Sequence, residues 1–219
     1  MTGVQTCALP ICFPVTIIQV ALCGGVRVGK DTAAKYFEEY LNMVTFAFGY
    51  DLKKEFHEAF PHIPKDPKPV RGYQLFGDLM RYVYGENYWV DKCFNRIEKQ
   101  RSMAKNYSQP WVTEENGIAP YDGPSFNPLI TDVRLPAEAK RCKEEGYFVV
   151  RIVSPLEQRK ERMRKEGDLF NDDVFTSEAE KYIDSLDVDY EIVNDGTLED
   201  FKAKLSVSVE KIIGYSRVL

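Results

Sequence analysis

The chain has 219 residues, of which 44% are apolar and 29% are charged, and its formal net charge is −5. These values are typical of one globular α/β domain of above-average size. The negative charge disfavours wrapping of a long nucleic acid, because a polyanion would have to be bound by a local cluster of Lys, Arg and backbone N–H groups. We therefore expect small-molecule ligands and no nucleic-acid partner.

The first residues carry a feature unrelated to folding. Back-translated with a GTG start codon, MTGVQTCALPI matches the beginning of a common sequencing-adapter oligonucleotide. We interpret residues 1–12 as an assembly artefact and assign the fold to residues 13–219; a genuine disordered N-terminus is the alternative.

The remaining cysteines are Cys23, Cys93 and Cys142, which lack metal-ligand spacing. This usage predicts a reducing cytoplasm, that of the host if the gene came from a phage. Away from the N-terminus no uninterrupted apolar run reaches about eighteen residues, which predicts no membrane span.

Five apolar runs have the composition of buried strands. They are residues 15–22, 43–48, 128–133, 147–153 and 189–194. Helical segments lie between them, and this alternation predicts a mostly parallel five-stranded sheet with helices on both faces. Such sheets bind ligands at the carboxyl ends of their strands.

The spacing between the second and third predicted strands is too long for a single crossover. Residues 50–105 contain three helical segments separated by a Pro-rich loop, which predicts a helical insertion. Residues 106–127 have many turn formers and no periodicity, so we expect a long surface loop there.

A glycine-rich segment follows the first predicted strand. Residues 24–32 read GGVRVGKDT and fit G-x-x-x-x-G-K, with Thr32 two places after Lys30. In such a loop the glycines turn backbone N–H groups toward phosphate oxygens, and the lysine adds a mobile charge. A glycine turn in an unrelated α/β protein is the alternative. The apolar run before the loop and the helical pattern after it favour a phosphate site.

Asp31 stands where such loops usually carry a magnesium-binding Ser or Thr. It would repel a phosphate about 4 Å away by roughly 1 kcal/mol in water, so it is not expected to bind phosphate. Either it stabilises the first turn of a helix through the helix dipole, or it faces Mg²⁺ through water while Thr32 donates to a phosphate. Asp132, at the end of the third predicted strand, would be the second carboxylate of that metal site, although an acid often ends a strand without a function.

Several segments together resemble the phage-type deoxynucleoside monophosphate kinases of the P-loop superfamily. GGVRVGKDTAAKYF is similar to that family's GKDT loop, LITDVRLPAEAKRCKEEGYFVVRIV to its TDVR-x-P-x-E strand and helix, and DYEIVNDGTLEDF to its closing strand, Asn-Asp-Gly turn and last helix. RGYQLFGDLMRYVYGENYWV is similar to its substrate-side helices. The resemblance covers residues 15–215 and implies a P-loop NTPase fold with ATP and Mg²⁺ as cofactors.

The resemblance also implies roles for individual residues. Catalysis would involve Lys30, Asp132, Arg159 and Arg162. ATP would be bound by Gly24, Gly25, Gly29, Lys30 and Thr32 at its phosphates, and by Asn194, Asp195 and Gly196 at its adenine, while Asp31 would belong to this cofactor site through the Mg²⁺ that accompanies ATP. The acceptor nucleotide would be bound by Arg71, Gln74, Arg81 and Arg134. Mg²⁺ would be held through water by Asp31 and Asp132.

Two of these assignments have alternatives. Arg71 and Arg81 flank an aromatic segment that offers stacking surface beside fixed cations, yet either arginine is also compatible with a solvated helix face. Residues 154–176 would form a lid that closes arginines onto the transferred phosphoryl group. The interleaved acids of that segment also fit a salt-bridged surface helix.

The sequence leaves three functions open. The first is ATP-dependent phosphoryl transfer to a deoxynucleoside 5′-monophosphate. The second is a P-loop kinase for a non-nucleotide phosphate such as phosphomevalonate, or for dephospho-CoA. The third is a regulatory module that binds ATP without transferring a phosphoryl group. The oligomeric state is also open, and a homodimer is compatible with the sequence.

Overall fold

A computed structural model describes residues 17–107, 112–113, 117–118, 126–165, 175 and 178–216. Its strands are β1 Val20–Cys23, β2 Met43–Phe46, β3 Val112–Thr113, β4 Gly117–Ile118, β5 Asn127–Val133, β6 Phe148–Val153 and β7 Tyr190–Val193. Its helices are α1 Lys30–Leu41, α2 Phe48–Ala59, α3 Val70–Tyr84, α4 Tyr88–Tyr107, α5 Pro136–Glu144, α6 Leu156–Lys165, α7 Glu178–Ile183 and α8 Leu198–Ser216. The predicted artefact at residues 1–12 lies outside the described residues.

Five strands form one sheet in the order β2-β5-β1-β6-β7, and all four pairings are parallel. The central strand is β1, where Val20 lies opposite Leu129 on one side and Phe148 on the other. The prediction of a five-stranded α/β sheet is confirmed, and the sheet is entirely parallel. The carboxyl ends of all five strands therefore meet at one edge, where a ligand site is expected.

The side chains of β1 alternate between two apolar layers, as a strand buried on both faces requires. Val20 and Leu22 belong to the layer covered by α1 and α8, with Phe37, Phe201, Leu205 and Ile212. Ala21 and Cys23 belong to the opposite layer, with Phe94, Ile97, Cys142 and Tyr147 from α4, α5 and the turn before β6. Helices therefore cover both faces of the sheet.

Three cysteines lie in that second layer. Cys23, Cys93 and Cys142 are buried and carry free thiols. Burial raises the pKa of Cys23 to about 11 and that of Cys93 to about 12. Burial also raises the pKa of Cys142 well above the ordinary value for a thiol.

Helices α2, α3 and α4 occupy the sequence between β2 and β5. Phe56 of α2 packs against Tyr73 and Phe76 of α3, with ring centroids 5.0 and 5.7 Å apart. The indole N–H of Trp89, in α4, donates to the carbonyl oxygen of Gly77 in α3 at 3.2 Å. These contacts join the three helices into one lobe next to the sheet edge. Within the described residues no helix is both long and apolar enough to cross a membrane.

The predicted loop at residues 106–127 is only partly described. Helix α4 continues to Tyr107, and Val112–Thr113 pairs antiparallel with Gly117–Ile118. This short strand pair was not predicted, because two-residue strands leave no periodicity in the sequence. Residues 108–111, 114–116 and 119–125 lie outside the described residues, and Asn127 already belongs to β5.

Candidate functional site

The glycine-rich segment forms a tight turn between β1 and α1. Gly24 has φ 144° and Gly29 has φ 107°, values that L side chains rarely adopt. A Cβ on Gly24 would lie 2.4 Å from the carbonyl oxygen of Ile152, and one on Gly29 would lie 2.6 Å from Nδ2 of Asn194. Both positions therefore require glycine. Helix α1 begins directly after the turn, so its unpaired N–H groups face the sheet edge.

Lys30 is folded onto the turn that precedes it. Its Nζ donates to the carbonyl oxygens of Gly24 at 2.6 Å and Gly25 at 2.7 Å. Burial, and secondly the charge of Arg134, lowers the pKa of Lys30 to about 8. An anion bound at the turn would favour the protonated ammonium and raise that pKa again.

A cavity of about 640 Å³ opens over the turn and α1. Its lining combines the loop, the ends of β5 and β7, and residues of α1, α2, α6 and α8. It includes Gly29, Lys30, Asp31, Thr32, Lys53, Asp132, Arg134, Arg162, Asn194 and Gly196. We call it the donor cavity. Backbone N–H groups together with two lysines and three arginines in one cleft are the donors that bind a polyphosphate.

Asp132 is the second-last residue of β5 and holds the start of α2. Its Oδ1 accepts a hydrogen bond from the backbone N–H of Phe48 at 2.8 Å, and its Oδ2 accepts one from Gly49 at 3.0 Å. The carboxylate thus satisfies two of the free N–H groups at the helix N-terminus. This fixes Asp132 in the cavity wall and leaves each oxygen able to accept a further hydrogen bond.

A second cavity of about 300 Å³ adjoins the first, and we call it the acceptor cavity. Its apolar wall includes Phe48, Leu52, Val70, Tyr73 and Trp89, and its polar lining includes Lys53, Lys68, Gln74, Arg81, Asp132, Arg134 and Glu138. An aromatic wall beside several cations suits a ligand that joins a ring to an anion. Lys53, Asp132 and Arg134 line both cavities.

Glu138 is a buried acid in the wall of the acceptor cavity. Its Oε2 accepts hydrogen bonds from the backbone N–H groups of Arg134 at 2.8 Å and Leu135 at 3.0 Å. Burial, and secondly the charge of Asp132, raises the pKa of Glu138 to about 7. The carboxyl group fixes the turn that carries Arg134, since Glu138 caps the first turn of α5.

The arginines of α6 bind the glycine-rich turn from the other side. Arg159 donates from Nε to the carbonyl oxygen of Val26 at 2.7 Å and pairs with Glu180 at 2.6 Å. Glu180 also accepts the N–H of Val26 at 2.8 Å. Arg162 donates to the carbonyl oxygen of Arg27 at 3.1 Å and lines the donor cavity.

Arg159 instead lines a separate cavity of about 290 Å³ with Gly25 and Glu180. In this structure it therefore binds the loop and Glu180 and does not face the donor cavity. Residues 166–174 and 176 of the predicted lid lie outside the described residues.

The turn after β7 holds the loop in place. The Asn194 side chain is buried, and its Nδ2 donates to the carbonyl oxygen of Val28 at 2.8 Å. Asp195 is exposed and pairs with Lys204 at 2.6 Å, outside the donor-cavity lining. Of the three residues predicted to lie against adenine, Asn194 and Gly196 line the donor cavity.

On the acceptor side the structure separates the two predicted arginines. Gln74 and Arg81 line the acceptor cavity, whereas Arg71 is exposed in the first turn of α3 and lines neither cavity. Lys53 and Lys68 line the acceptor cavity but were not predicted. Lys53 stands in a Lys-Lys pair on a helix and Lys68 in a Pro-rich loop, patterns that are usually surface features.

The donor cavity fits a magnesium ion brought in by a nucleotide. Mg²⁺ usually takes one or two protein carboxylates and completes its shell with water and phosphate oxygens. Asp31 and Asp132 supply two carboxylates to this cavity. Within the part of the chain that the structure describes, no group of three or more His, Cys, Asp or Glu side chains could hold a metal ion. The residues present thus fit an ion that arrives with phosphates.

No known protein family profile matches the chain. A protein of Acanthamoeba polyphaga mimivirus, named "Putative deoxynucleotide monophosphate kinase", is 24% identical to this chain over 207 residues. The alignment covers 89% of this chain and 97% of that protein. A sugar kinase structure from a Janibacter species aligns with 89% of this chain and 95% of its own, at 12% identity and a TM-score of 0.50. The chain shares its fold with this kinase. The dephospho-CoA kinase from Campylobacter jejuni aligns with 89% of this chain and 96% of its own, at 14% identity and a TM-score of 0.49.

Proposed function

We propose that the protein is a kinase that transfers the γ-phosphoryl group of ATP to the phosphate of a deoxynucleoside 5′-monophosphate, giving the diphosphate. The observation that carries this proposal is the pair of adjoining cavities. One has a phosphate-binding turn at a helix N-terminus, the other has an aromatic wall beside cations, and Asp132 and Arg134 lie in both. The relative named a deoxynucleotide monophosphate kinase supports the choice of acceptor.

On this proposal the chain acts by positioning and charge neutralisation. The turn and the first N–H groups of α1 bind the ATP phosphates, and Lys30 leaves the carbonyl oxygens of Gly24 and Gly25 to contact them. An oxygen of the acceptor phosphate attacks the γ-phosphorus in line. The new P–O bond forms as the bond to the leaving ADP oxygen breaks, without a covalent intermediate on the protein. Arg134, at the junction of the cavities, offsets the charge on the transferred group.

Two carboxylates would hold the metal ion in this mechanism. Mg²⁺, when bound, would neutralise charge on the β- and γ-phosphates. Asp31 and Asp132 would hold it through water, which is one of the two roles that the sequence allows for Asp31. Asp132 keeps its own position by accepting the N–H groups of Phe48 and Gly49.

Two alternatives fit the cavities less well. A regulatory module that only binds ATP would not need the acceptor cavity with its cations. A non-nucleotide acceptor such as phosphomevalonate would not use the aromatic side chains of Tyr73 and Trp89. These observations favour a nucleotide acceptor over both.

The test is a screen of the purified protein with ATP and Mg²⁺ against all four deoxynucleoside monophosphates, phosphomevalonate and dephospho-CoA. Formation of ADP and of each phosphorylated product would be followed. We expect at least one deoxynucleotide to give a kcat/KM at least tenfold above that of the other acceptors. Phosphorylation confined to phosphomevalonate or dephospho-CoA, or ATP binding without turnover of any acceptor, would overturn the proposal.

A further inference from the structure

Lys53 lies in α2 at the point where the donor and acceptor cavities meet. Its side chain lines both, a property that it shares only with Asp132 and Arg134 among the described residues. By contrast, Lys30 and Arg162 line the donor cavity alone, and Arg81 lines the acceptor cavity alone. Lys53 is therefore one of two cations placed at the junction.

The position of Lys53 is fixed by the start of its helix. Asp132 holds the N–H groups of Phe48 and Gly49, and Lys53 follows Gly49 by about one turn of α2. A Cβ on Gly49 would lie 3.3 Å from Oδ2 of Asp132 and 4.0 Å from Nζ of Lys53. The carboxylate and the ammonium thus flank the same backbone position at the edge of the sheet.

The charge at the junction is unbalanced. No carboxylate among the described residues forms an ion pair with Lys53, Lys68 or Arg134. All three cations line the acceptor cavity. Burial lowers the pKa of Lys68, and the charges of Lys53 and Arg134 lower it further. Cations that repel one another in a partly buried site are stabilised by an anion between them.

We propose that Lys53 is a further phosphoryl-transfer residue, whose ammonium contacts both the γ-phosphoryl group of the donor and the phosphate of the acceptor. The inference rests on the proposed function. The transferred group passes from one cavity to the other, so a side chain lining both can contact it before and after transfer. Lys53 and Arg134 then neutralise the charge that spreads over the equatorial oxygens in the transition state.

The neighbouring residue provides a matched control. Lys54 has the same side chain, lies on the same helix and lines neither the donor nor the acceptor cavity. Its side chain is 60% exposed and lies 3.9 Å from Glu58. Replacing Lys54 therefore removes the same charge from α2 without changing the junction.

The experiment compares Lys53→Met and Lys54→Met in steady-state kinetics with the best deoxynucleotide acceptor. Removing one transition-state donor typically lowers kcat by roughly 10²–10³-fold, and we expect this loss in Lys53→Met. The Kd for ATP without acceptor should rise by less than tenfold, because Lys53 is one contact to the γ-phosphoryl group and the loop and Lys30 are intact. Lys54→Met should match wild type in both quantities, and Lys53→Arg should recover part of the lost kcat. Thermal melting of each variant would confirm that it is folded.

A binding measurement gives a readout that is independent of turnover. Dinucleoside pentaphosphates that join adenosine to each of the four deoxynucleosides would span both cavities. Lys53→Met should bind the best of them at least tenfold more weakly than wild type, and Lys54→Met should bind it equally well. A folded Lys53→Met with wild-type kcat and wild-type pentaphosphate affinity would overturn this inference and leave the proposed function intact. A wild-type protein that phosphorylates no deoxynucleotide would overturn the proposed function, and the inference with it.

Discussion

The Asn194 side chain donates a hydrogen bond to the carbonyl oxygen of Val28 at 2.8 Å in a buried position. The backbone N–H of Asn194 donates to the carbonyl oxygen of Val153, also at 2.8 Å. The two bonds tie the end of β7 to both the end of β6 and the glycine-rich turn. The geometry of the turn therefore depends on a residue more than 160 positions away in the chain.

Replacing Asn194 with alanine should destabilise the protein and weaken ATP binding. The change leaves a buried carbonyl oxygen without its donor, which costs about 1–3 kcal/mol. The free energy of unfolding from urea denaturation and the Kd for ATP would be measured together. Asp195→Ala is the control, because its exposed ion pair with Lys204 should contribute little. Equal effects of the two substitutions would contradict the role given to Asn194.

The pKa of Lys30 predicts how ATP binding depends on pH. Because that pKa is about 8 in the structure, kcat/KM for ATP should fall as the pH rises through 8 and the free protein loses the ammonium. Bound phosphates would raise the pKa, so kcat should hold to higher pH. Calorimetry near pH 8 in buffers of different ionisation enthalpy should then show proton uptake on ATP binding. The same alkaline loss of affinity in Lys30→Ala would show that another group titrates.

Unfolding should restore the ordinary pKa of Lys30, 10.5, which gives a separate check. Between pH 8 and 10.5 the unfolded chain then binds more protons at this residue than the folded protein does. The contribution of Lys30 to stability should consequently rise with pH over that window. The difference in free energy of unfolding between wild type and Lys30→Met, measured at pH 7.5 and 9.5, tests the sign.

Asp31→Asn distinguishes the two interpretations of that acid. If Asp31 faces Mg²⁺, the Mg²⁺ concentration for half-maximal activity should rise several-fold with little change in melting temperature. If it serves the helix dipole, stability should fall by about 0.3–1 kcal/mol and the Mg²⁺ requirement should not change. We expect the first result, because Asp31 lines the donor cavity and Asp132 lines it too. The control is Glu39→Gln, which removes one exposed acid from the same helix. Asp51→Asn would not serve, because Asp51 forms an ion pair with Arg96.

Arg81 and Arg71 should differ in their effect on the acceptor. Arg81 lines the acceptor cavity, so Arg81→Ala should raise the KM for the deoxynucleotide by roughly tenfold, as expected for loss of a charged hydrogen bond to phosphate. Arg71→Ala should change it less, because Arg71 is exposed outside both cavities. The KM for ATP should stay constant in both variants. A larger effect of Arg71→Ala would indicate that α3 moves when the acceptor binds.

The sequence predicted the sheet well because β-branched runs of short length identify buried parallel strands. It also predicted the turn at residues 24–30, since glycines with positive φ leave a clear pattern. Lys53 and Lys68 were missed because a lysine on a helix or in a loop gives no local sign of the cavity that it faces. The position of Arg159 was also not predictable. It hydrogen-bonds to Val26 and Glu180, which are 133 and 21 residues away in the chain, and no local sequence pattern indicates such partners.

The three buried thiols allow opening of the apolar layer beneath α4 and α5 to be measured by thiol labelling. A thiol with a pKa of about 11 or 12 is almost entirely protonated at neutral pH and reacts slowly with a thiol-specific reagent. Cys23, Cys93 and Cys142 should therefore be labelled only when this layer opens, once Cys7 and Cys12 have been replaced by serine. Cys23 ends the strand that leads into the glycine-rich turn, so its labelling rate with and without nucleotide measures how far ligand binding slows opening of the sheet.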